Sequence, residues 1–342
     1  MLYQKIKSHL NTLISAGAPG AALPSENQLA IKFGVSRITV RKALDELKSE
    51  DKIYKIHGKG TFISLPTGSA AVPQRIAFIL PSAVTAFSDD LVQGVTTFCR
   101  DMNLRLILLM SRHSVTLERQ HLKTAAELGC TGILAMPIDT ETDNYVEFEK
   151  LYPHIPLVFI DRPAKTQGTF SCVSSDHRRI GYTAAKYLID GGHSQIALIS
   201  NTTRRPKPVL DRRRGYREAL LQLAGTEKFY LPSYPAQDKI EYYENYFTKH
   251  PEITGIIVSS GEIGYNPVLA LKRLGRSIPK DVTLVLIDTD NSFLSDYLSA
   301  SVPTIVQDGF SIGTAACEEL LSQTRHPSPP QEIFIPIKLQ II

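Results

Sequence analysis

Apolar positions near the N-terminus recur with the period of an amphipathic helix. A stripe of four follows the i, i+3, i+4, i+7 spacing of one buried helical face: Val40, Ala43, Leu44 and Leu47. Ser36 is the N-cap candidate for this helix. A shorter helix precedes it, since Ser25 and Gln28 form a capping-box pair and Gly34 ends the segment. The pattern predicts two short helices joined by a tight turn.

The polar side of the second predicted helix is cationic, because the spacing of Arg37, Arg41 and Lys48 aligns them. A basic outer face alone is most often an ordinary solvated surface. Here two β-prone runs, 53–56 and 61–63, follow around a glycine-containing connection, which predicts a hairpin with a basic tip. A helix-turn-helix beside such a hairpin, or wing, is typical of proteins that read the major groove of DNA.

The residues that carry this pattern form a dense motif, LPSENQLA, FGVSRITVRKALDEL and GKGTFI. The motif resembles the winged-helix domain of GntR-type bacterial repressors and covers roughly residues 1–64. By position, the resemblance implies eight DNA contacts: Asn27, Ser36, Arg37, Thr39, Arg41, His57, Gly58 and Lys59. Many members of that family have arginine where this chain has Asn27.

The charge distribution supports phosphate binding by this segment. Residues 1–64 hold ten Lys or Arg against five Asp or Glu, a net of +5. The other residues hold 28 Lys or Arg against 29 Asp or Glu, a net charge of −1. The two parts together give the net charge of +4 of the whole chain. The excess positive charge is therefore confined to the segment with the groove-reading pattern.

From Arg75 onward the pattern changes to short apolar runs that alternate with amphipathic helical segments. Seven strands are predicted: 76–80, 104–110, 132–136, 157–160, 196–199, 255–258 and 282–287. Five helices are predicted between them: 89–102, 116–128, 179–188, 213–223 and 262–274. Continuous apolar strands separated by helices indicate parallel sheets covered on both faces, which is an α/β fold.

Ligands of such sheets collect beyond the carboxyl ends of the strands. Polar or turn residues follow most of the predicted strands at that end: Ser82, Pro137, Asp161, Asn201, Ser259, Ser260 and Asp288. Asp161 and Asp288 each follow a fully apolar run. A lone aspartate at a strand end is more often a loop or cap residue, so only the joint positions favour a binding site.

A second set of motifs covers nearly all of the remaining chain: PLVFIDRP, VSSDHRRIGYTAAKYLIDGGHSQIALIS, DRRRGYREAL, IPKDVTLVLIDTDN and VPTIVQDGFSIGTAACEELL. They resemble the sensor domain of LacI/GalR-type regulators, which has the periplasmic-binding-protein fold. A GntR-type head on such a sensor is the combination of arabinose-repressor-like regulators. The resemblance implies a DNA-binding domain at 1–64, a linker at 65–74 and an effector-binding domain at 75–342.

Within the sensor the resemblance implies two similar subdomains around a cleft, with three chain crossings. We expect these near Arg162, Asn291 and Arg325. Subdomain one would then hold residues 75–161 and 292–325, and subdomain two residues 162–291 and 326–342.

The resemblance further implies effector contacts at Asp161, Arg212 and Asp288. Their chemistry agrees with this, because carboxylates accept two hydrogen bonds from vicinal hydroxyls and the Arg fork donates two. Ser82 and Phe87 are candidates for a polar and a stacking contact. Ser260 stands where relatives often have asparagine, which leaves the identity of the effector open.

Three neighbouring residues have plainer explanations. Asp176 is expected to cap the helix that follows it. Arg213 and Arg214 are expected to be solvated.

The combined prediction is a sequence-specific bacterial repressor of carbohydrate-utilisation genes that binds operator DNA as a homodimer and is released by a monosaccharide or its derivative. The alternative is an activator or co-repressor-type regulator that senses a nucleobase or another small metabolite. An enzyme is disfavoured, because the chain has no glycine-rich nucleotide loop and no nucleophile elbow. We therefore expect no catalysis and no cofactor.

The histidine and cysteine spacing and the N-terminal sequence indicate whether a metal is bound and in which compartment the protein acts. The nine histidines and four scattered cysteines show no metal-ligand spacing, so no metal is expected, and buried thiols fit a reducing cytoplasm. A secreted solute-binding protein is disfavoured by the basic head and by an N-terminus without a signal-peptide pattern. No apolar run is long enough for a membrane span.

Overall fold

The computed structural model describes residues 2–17, 21–50, 52–56, 60–63, 74–83, 85–138, 144–151, 155–166, 170–200, 206–226, 228–232, 240–259, 263–288, 301–325 and 329–341. Contacts divide the chain into two compact units. The first holds residues 1–74 together with Phe98–Arg105, and the second holds the rest. The expected linker, apart from Gln74, and the expected wing tip at His57, Gly58 and Lys59 lie outside the described residues.

The first unit begins with three helices: α1 (Leu2–Ala16), α2 (Glu26–Phe33) and α3 (Arg37–Ser49). The predicted capping box at the start of α2 is confirmed, since the Ser25 hydroxyl accepts from the Gln28 backbone and the Gln28 side chain accepts from the Ser25 backbone. Gly34 ends α2 with a left-handed φ of 59°, a conformation that glycine adopts without steric cost. This cap makes the sharp turn into α3 possible.

The core of this unit is the predicted apolar stripe of α3 packed on the other two helices. All four stripe residues are fully buried, and they contact a cluster that includes Ile6, Leu10 and Leu29. Strands β1 (Ile53–Ile56) and β2 (Gly60–Ile63) pair antiparallel, with Ile53 opposite Ile63 and Ile56 opposite Gly60. The described residues between 2 and 63 therefore form a winged helix-turn-helix.

The second unit contains two sheets. The first has six strands in the order β12, β7, β6, β5, β3, β4. Their bounds are β3 (Arg75–Leu80), β4 (Arg105–Met110), β5 (Gly132–Ala135), β6 (Leu157–Ile160), β7 (Cys172–Ser175) and β12 (Glu332–Ile335). The registered pairs of β3, β5, β6, β7 and β12 are all parallel.

The second sheet has five strands in the order β13, β11, β10, β9, β8. Their bounds are β8 (Ile196–Ile199), β9 (Gly255–Val258), β10 (Thr283–Ile287), β11 (Pro303–Val306) and β13 (Lys338–Ile341). Only the β11–β13 pair is antiparallel. The two sheets confirm the predicted parallel α/β class.

Helices accompany both sheets. Their bounds are α4 (Ala86–Asp101), α5 (Val115–Glu127), α6 (Asn144–Leu151), α7 (His177–Asp190), α8 (Lys207–Ala224), α9 (Ile240–Lys249), α10 (Tyr265–Arg273) and α11 (Gly309–Arg325). Helices α7 and α8 pack their buried faces on the second sheet in one apolar cluster. Helix α11 packs on β5, β6 and β7 of the first sheet. Within the described part of the chain, no helix is both long and apolar enough to cross a bilayer.

The sheets correct the expected crossings between subdomains. Strand β7 belongs to the first sheet, so the first crossing lies at Asp176, between β7 and α7, and not near Arg162. The second follows β11 at about residues 307–308, and not near Asn291, which is itself outside the described residues. The third lies between β12 and β13, and not near Arg325. The sequence-based boundaries were wrong because β7, β11, β12 and β13 were not recognised as strands.

Candidate DNA-binding and ligand-binding sites

The outer face of α3 is exposed along its length. Arg37, Arg41 and Lys48 are all exposed, on a side of the helix next to the buried stripe. Asn27 is also exposed, in the first turn of α2. The predicted cationic face is therefore exposed to solvent, as contact with a phosphate backbone requires.

Two further residues on the predicted DNA contact set have a structural role as well. The Ser36 hydroxyl accepts a hydrogen bond from the Thr39 backbone N–H at 3.3 Å and lies 3.0 Å from the Thr39 hydroxyl. This N-cap fixes the first turn of α3. It also orients the helix N-terminus, whose free N–H groups favour anions.

Glu26 connects two cations of the head, a contact that the sequence pattern did not indicate. Its carboxylate accepts from Arg41 Nη2 at 3.1 Å and from Lys55 Nζ at 2.8 Å. The hydrogen bond from Lys55 and the bond and charge of Arg41 lower the pKa of Glu26 despite its partial burial. The carboxylate therefore stays charged and holds Arg41 of α3 next to Lys55 of β1.

In the second unit, close packing of α7 on α8 positions Arg212. A Cβ at Gly181 would overlap the Arg212 carbonyl, and a Cβ at Gly215 would overlap the Arg178 carbonyl. Only glycine permits this approach, so the DRRRGY motif has a packing role. The approach leaves Arg212 almost fully buried, with its guanidinium at the ends of β9 and β10.

Arg212, which is buried, and Asp288, which is partly buried, form an ion pair. Arg212 Nη2 donates to Asp288 Oδ2 at 2.8 Å, and Arg212 Nη1 donates to the Ser259 carbonyl at 2.6 Å. The same Asp288 oxygen accepts from Gln307 Nε2. These side chains come from α8 and from the carboxyl ends of β10 and β11, where a ligand of a parallel sheet binds.

This cluster leaves polar atoms without partners. Arg212 Nε, Asp288 Oδ1 and Gln307 Oε1 are buried and make no hydrogen bond in the described structure. A buried polar atom without a partner costs roughly 1–3 kcal/mol, so native proteins satisfy nearly all of them. Two acceptors and one donor at one site are suited to a ligand that offers several hydroxyl groups.

Asp161 lies in a separate group of hydrogen bonds. Its carboxylate accepts from Arg162 Nη1 at 2.6 Å and lies 3.2 Å from His177 Nε2. Burial alone would raise the pKa of the Asp161 carboxyl. The His177 hydrogen bond and the charges of His177, Arg162 and Arg212 outweigh it and lower that pKa. Asp161 shows no hydrogen bond to Arg212 or Asp288 in the described part of the chain, although the Arg212 charge reaches it.

A cavity of about 240 Å³ lies on the Asp161 side, between residues of the first sheet and of α7 and α8. Asp161, Ser174, His177 and Asp211 contribute to its wall, whereas Arg212 and Asp288 do not. Ser175 Oγ and His177 Nδ1, which also belong to the lining residues, are buried without partners. The structure thus brings Arg212 and Asp288 together and sets Asp161 in an adjoining polar region.

The remaining candidates are placed as follows. Ser82 is half-buried in the loop after β3. Phe87, expected in that loop, lies instead in the first turn of α4. Ser260 is outside the described residues. Asp176 caps α7 as predicted, since it accepts from the Arg179 backbone at 2.9 Å.

The expectation for the two arginines after Arg212 is partly wrong. Arg214 is exposed and pairs with Asp211. Arg213 is half-buried and donates from Nε and Nη2 to the Ser200 hydroxyl. It therefore anchors α8 to the end of β8.

Sequence reasoning missed Gln307 and His177. Gln307 directly follows β11, so a glutamine after the apolar run VPTIV was the available signal. His177 follows the helix cap Asp176, and its contact with Asp161 becomes visible only with the first crossing in place. The described residues contain no group of three or more His, Cys, Asp or Glu that could hold a metal ion.

Two sheets of mainly parallel strands, between which the chain crosses three times, and a polar cluster at their strand ends define a periplasmic-binding-protein-like sensor. Residues 2–63 form a winged helix-turn-helix. The chain belongs to the family of periplasmic binding proteins and sugar binding domains of the LacI family, whose model matches residues 73–308. Residues 2–63 match the gntR family of bacterial regulatory proteins. The chain thus has the organisation of a ligand-responsive transcriptional repressor.

Known proteins resemble this chain over most of its length. An arabinose metabolism transcriptional repressor from Geobacillus stearothermophilus is 26% identical over 95% of this chain and 92% of its own length. A LacI family regulator from Enterococcus faecium, solved with bound ribose, aligns with a TM-score of 0.63 at 23% identity. The alignment covers 78% of this chain and 97% of the Enterococcus faecium protein. The complex of the regulator CelR with cellobiose aligns with a TM-score of 0.67 at 19% identity. That alignment covers 93% of this chain and 98% of CelR.

Proposed function

We propose that this protein represses carbohydrate-utilisation genes and leaves operator DNA when a monosaccharide, or a derivative of one, binds to its sensor. Two of the similar proteins carry sugars in their structures, and a third is a repressor of arabinose metabolism. As a DNA-binding regulator of a bacterial type, the protein would act in the cytoplasm.

The observation that carries the proposal is the cluster of Arg212, Asp288 and Gln307 with its three unpartnered polar atoms. Vicinal hydroxyls of a sugar can donate to the free carboxylate and amide oxygens and accept from the guanidinium. A nucleobase offers fewer hydroxyls and a flat apolar face. It remains the alternative ligand, and the experiment below separates the two.

The head supplies the DNA contacts in this proposal. Arg37 and Arg41 enter the major groove from α3, with Asn27, Ser36 and Thr39 beside them. His57, Gly58 and Lys59 contact the backbone or the adjoining groove from the wing. The exposed cationic face of α3 and the +5 charge of residues 1–64 support this assignment.

We further propose that two copies act together through the sensor. Strand β4 forms one edge of the six-stranded sheet and exposes Leu108 and Met110 by 37% and 46%. An apolar edge of this kind is a liability in a monomer and a natural surface for a partner. A two-fold dimer doubles the readout on a near-palindromic operator.

Ligand binding would act by changing the angle between the two sensor subdomains. The chain crosses between the sheets at Asp176, at residues 307–308 and between β12 and β13, so closure rotates one sheet against the other about these three segments. In a dimer, that rotation changes the spacing of the two heads. The ligand shifts the equilibrium only by its differential affinity for the two states.

A thermal-shift screen of the full-length protein tests the ligand class. Monosaccharides, sugar phosphates and nucleobases are compared with NAD and ATP as ligands of the enzyme alternative. A ligand at 100 times its dissociation constant stabilises by roughly 2.7 kcal/mol, which shifts the melting temperature measurably. The proposal expects a sugar among the hits and predicts that Arg212→Ala removes its shift. A nucleobase as the sole hit would support the alternative.

A further inference from the structure

The head exposes two isoleucines, and one of them stands on the recognition helix. Ile38 is 79% exposed and follows Arg37 in the first turn of α3, whereas Ile31 is 82% exposed and lies on α2. Single exposed apolar residues are common on protein surfaces and need no explanation by themselves. The position of Ile38 among cations is what distinguishes it.

Ile38 shares a helix face with two exposed cations. Arg41 is three residues further along α3 and Lys42 four, so both lie beside Ile38 on the outer surface. Val40, two residues on, points to the opposite side and is fully buried. The Ser36 cap fixes the backbone of this turn. An isoleucine is therefore held in place within an otherwise polar and cationic surface.

The geometry points to Ile38 as a specificity-determining residue that reads a thymine in the operator through its C5-methyl group. This inference rests on the proposed DNA-binding function. Residues in the first turn of a recognition helix are those that reach base edges in the major groove. The isoleucine side chain has no hydrogen-bonding atom, and thymine is the base that presents a methyl group in that groove. Arg37 and Arg41 supply hydrogen bonds and charge, which an apolar residue cannot.

The contact can be tested with the full-length protein on a bound operator fragment. Each thymine is replaced singly by deoxyuridine, which removes the C5-methyl and leaves every hydrogen-bonding group of the base in place. We expect wild-type affinity to fall at one thymine per half-site, by about fourfold, which corresponds to one methyl group no longer buried. Ile38→Ala should bind the unmodified operator more weakly and should show no further loss at that deoxyuridine.

Two other variants serve as controls. Ile31→Ala removes the same atoms from the other exposed isoleucine and should keep the full deoxyuridine penalty. Ile38→Val retains part of the apolar side chain and should therefore keep part of the deoxyuridine penalty. Circular dichroism and light scattering check that each variant is folded and has the wild-type oligomeric state.

Three results would overturn the inference while the proposed function stood. In the first, the protein binds the operator in a salt-sensitive manner, but deoxyuridine weakens binding at no position. In the second, Ile38→Ala still shows the full loss of affinity at the deoxyuridine. In the third, the only defect of the Ile38→Ala protein is an altered oligomeric state. If the wild-type protein bound no DNA fragment in a salt-sensitive manner, the proposed function itself would fail.

Discussion

Arg212 and Asp288 are 76 residues apart in the chain and form one partly buried ion pair, with Arg212 Nη2 2.8 Å from Asp288 Oδ2. Helix α8 presents the arginine, and the end of β10 presents the aspartate in a left-handed backbone conformation with φ of 49°. A non-glycine residue with positive φ is uncommon and tends to occur at functional sites. The pair therefore combines an aspartate of uncommon backbone conformation with a buried arginine.

The shape of the guanidinium matters at this position. Arg212→Lys keeps the positive charge but loses the planar fork that donates to both Asp288 and the Ser259 carbonyl. We expect at least a tenfold loss of sugar affinity, measured by isothermal titration calorimetry, with operator affinity unchanged. Arg214→Lys, at the exposed neighbour, is the matched control and should behave as wild type. Equal sugar affinity in Arg212→Lys and wild type would place the ligand elsewhere.

Gln307 should contribute to the response to ligand. Gln307→Ala removes one hydrogen bond to Asp288 and one unpartnered acceptor, a loss of about 0.5–1.5 kcal/mol for a typical hydrogen bond. The sugar concentration that half-releases the operator should therefore rise roughly two- to tenfold. Gln222→Ala, at an exposed position of α8, should leave that concentration unchanged. A Gln307→Ala protein with the wild-type midpoint would remove Gln307 from the site.

Base contacts and phosphate contacts in the head should give different signatures. Arg37→Ala should cost about 1–3 kcal/mol and relax sequence preference, whereas Lys59→Ala should weaken binding evenly across sequences. Loss of one phosphate contact should make the slope of log binding constant against log salt concentration less steep by about 0.9. Fluorescence anisotropy at several salt concentrations measures both effects. Lys186→Ala, which removes a charge from the sensor, should change neither. A Lys59→Ala protein with an unaltered slope would exclude that phosphate contact.

The sensor should lose stability in acid through Asp161. The pKa of this carboxyl in the folded protein lies below its ordinary value of 3.8, so the unfolded state binds its proton first as pH falls. The stabilisation is complete well above pH 4 and is lost progressively below it. In urea unfolding, wild type should therefore lose stability more steeply than Asp161→Asn below about pH 4. Asp190→Asn, at an exposed carboxylate, should follow wild type. Parallel profiles for wild type and Asp161→Asn would contradict this account.

Local rules predicted much of the fold. The stripe of α3, the capping box of α2 and the turn at Gly34 follow from helix periodicity and cap chemistry, which act over a few residues. The seven apolar strands were found for the same reason. Cys172–Ser175 was missed because its sequence, CVSS, is half polar, and β13 because its four residues are all exposed at the sheet edge. The first crossing was misplaced as a direct consequence, since the chain returns to the first sheet after Asp161.

The candidate site depended on long-range contacts that sequence spacing does not contain. Strand ends identified Asp161 and Asp288 as candidates, but only the sheet order brings β10 and β11 side by side and so places Gln307 against Asp288. The same order separates the hydrogen bonds of Asp161 from those of Arg212. Glu26 was overlooked in the head because its partners, Arg41 and Lys55, lie on other elements.

The central claim is that a sugar bound at Arg212 and Asp288 releases the operator, and one titration tests it most directly. Labelled operator is bound by wild type and by Asp288→Asn, a variant of equal size without the carboxylate charge, and the sugar from the thermal-shift screen is added while anisotropy is recorded. We predict a 5- to 150-fold fall in wild-type operator affinity, the usual range of allosteric coupling. Asp288→Asn should bind operator as tightly as wild type and should not respond. Release of Asp288→Asn at the wild-type sugar concentration would contradict the account.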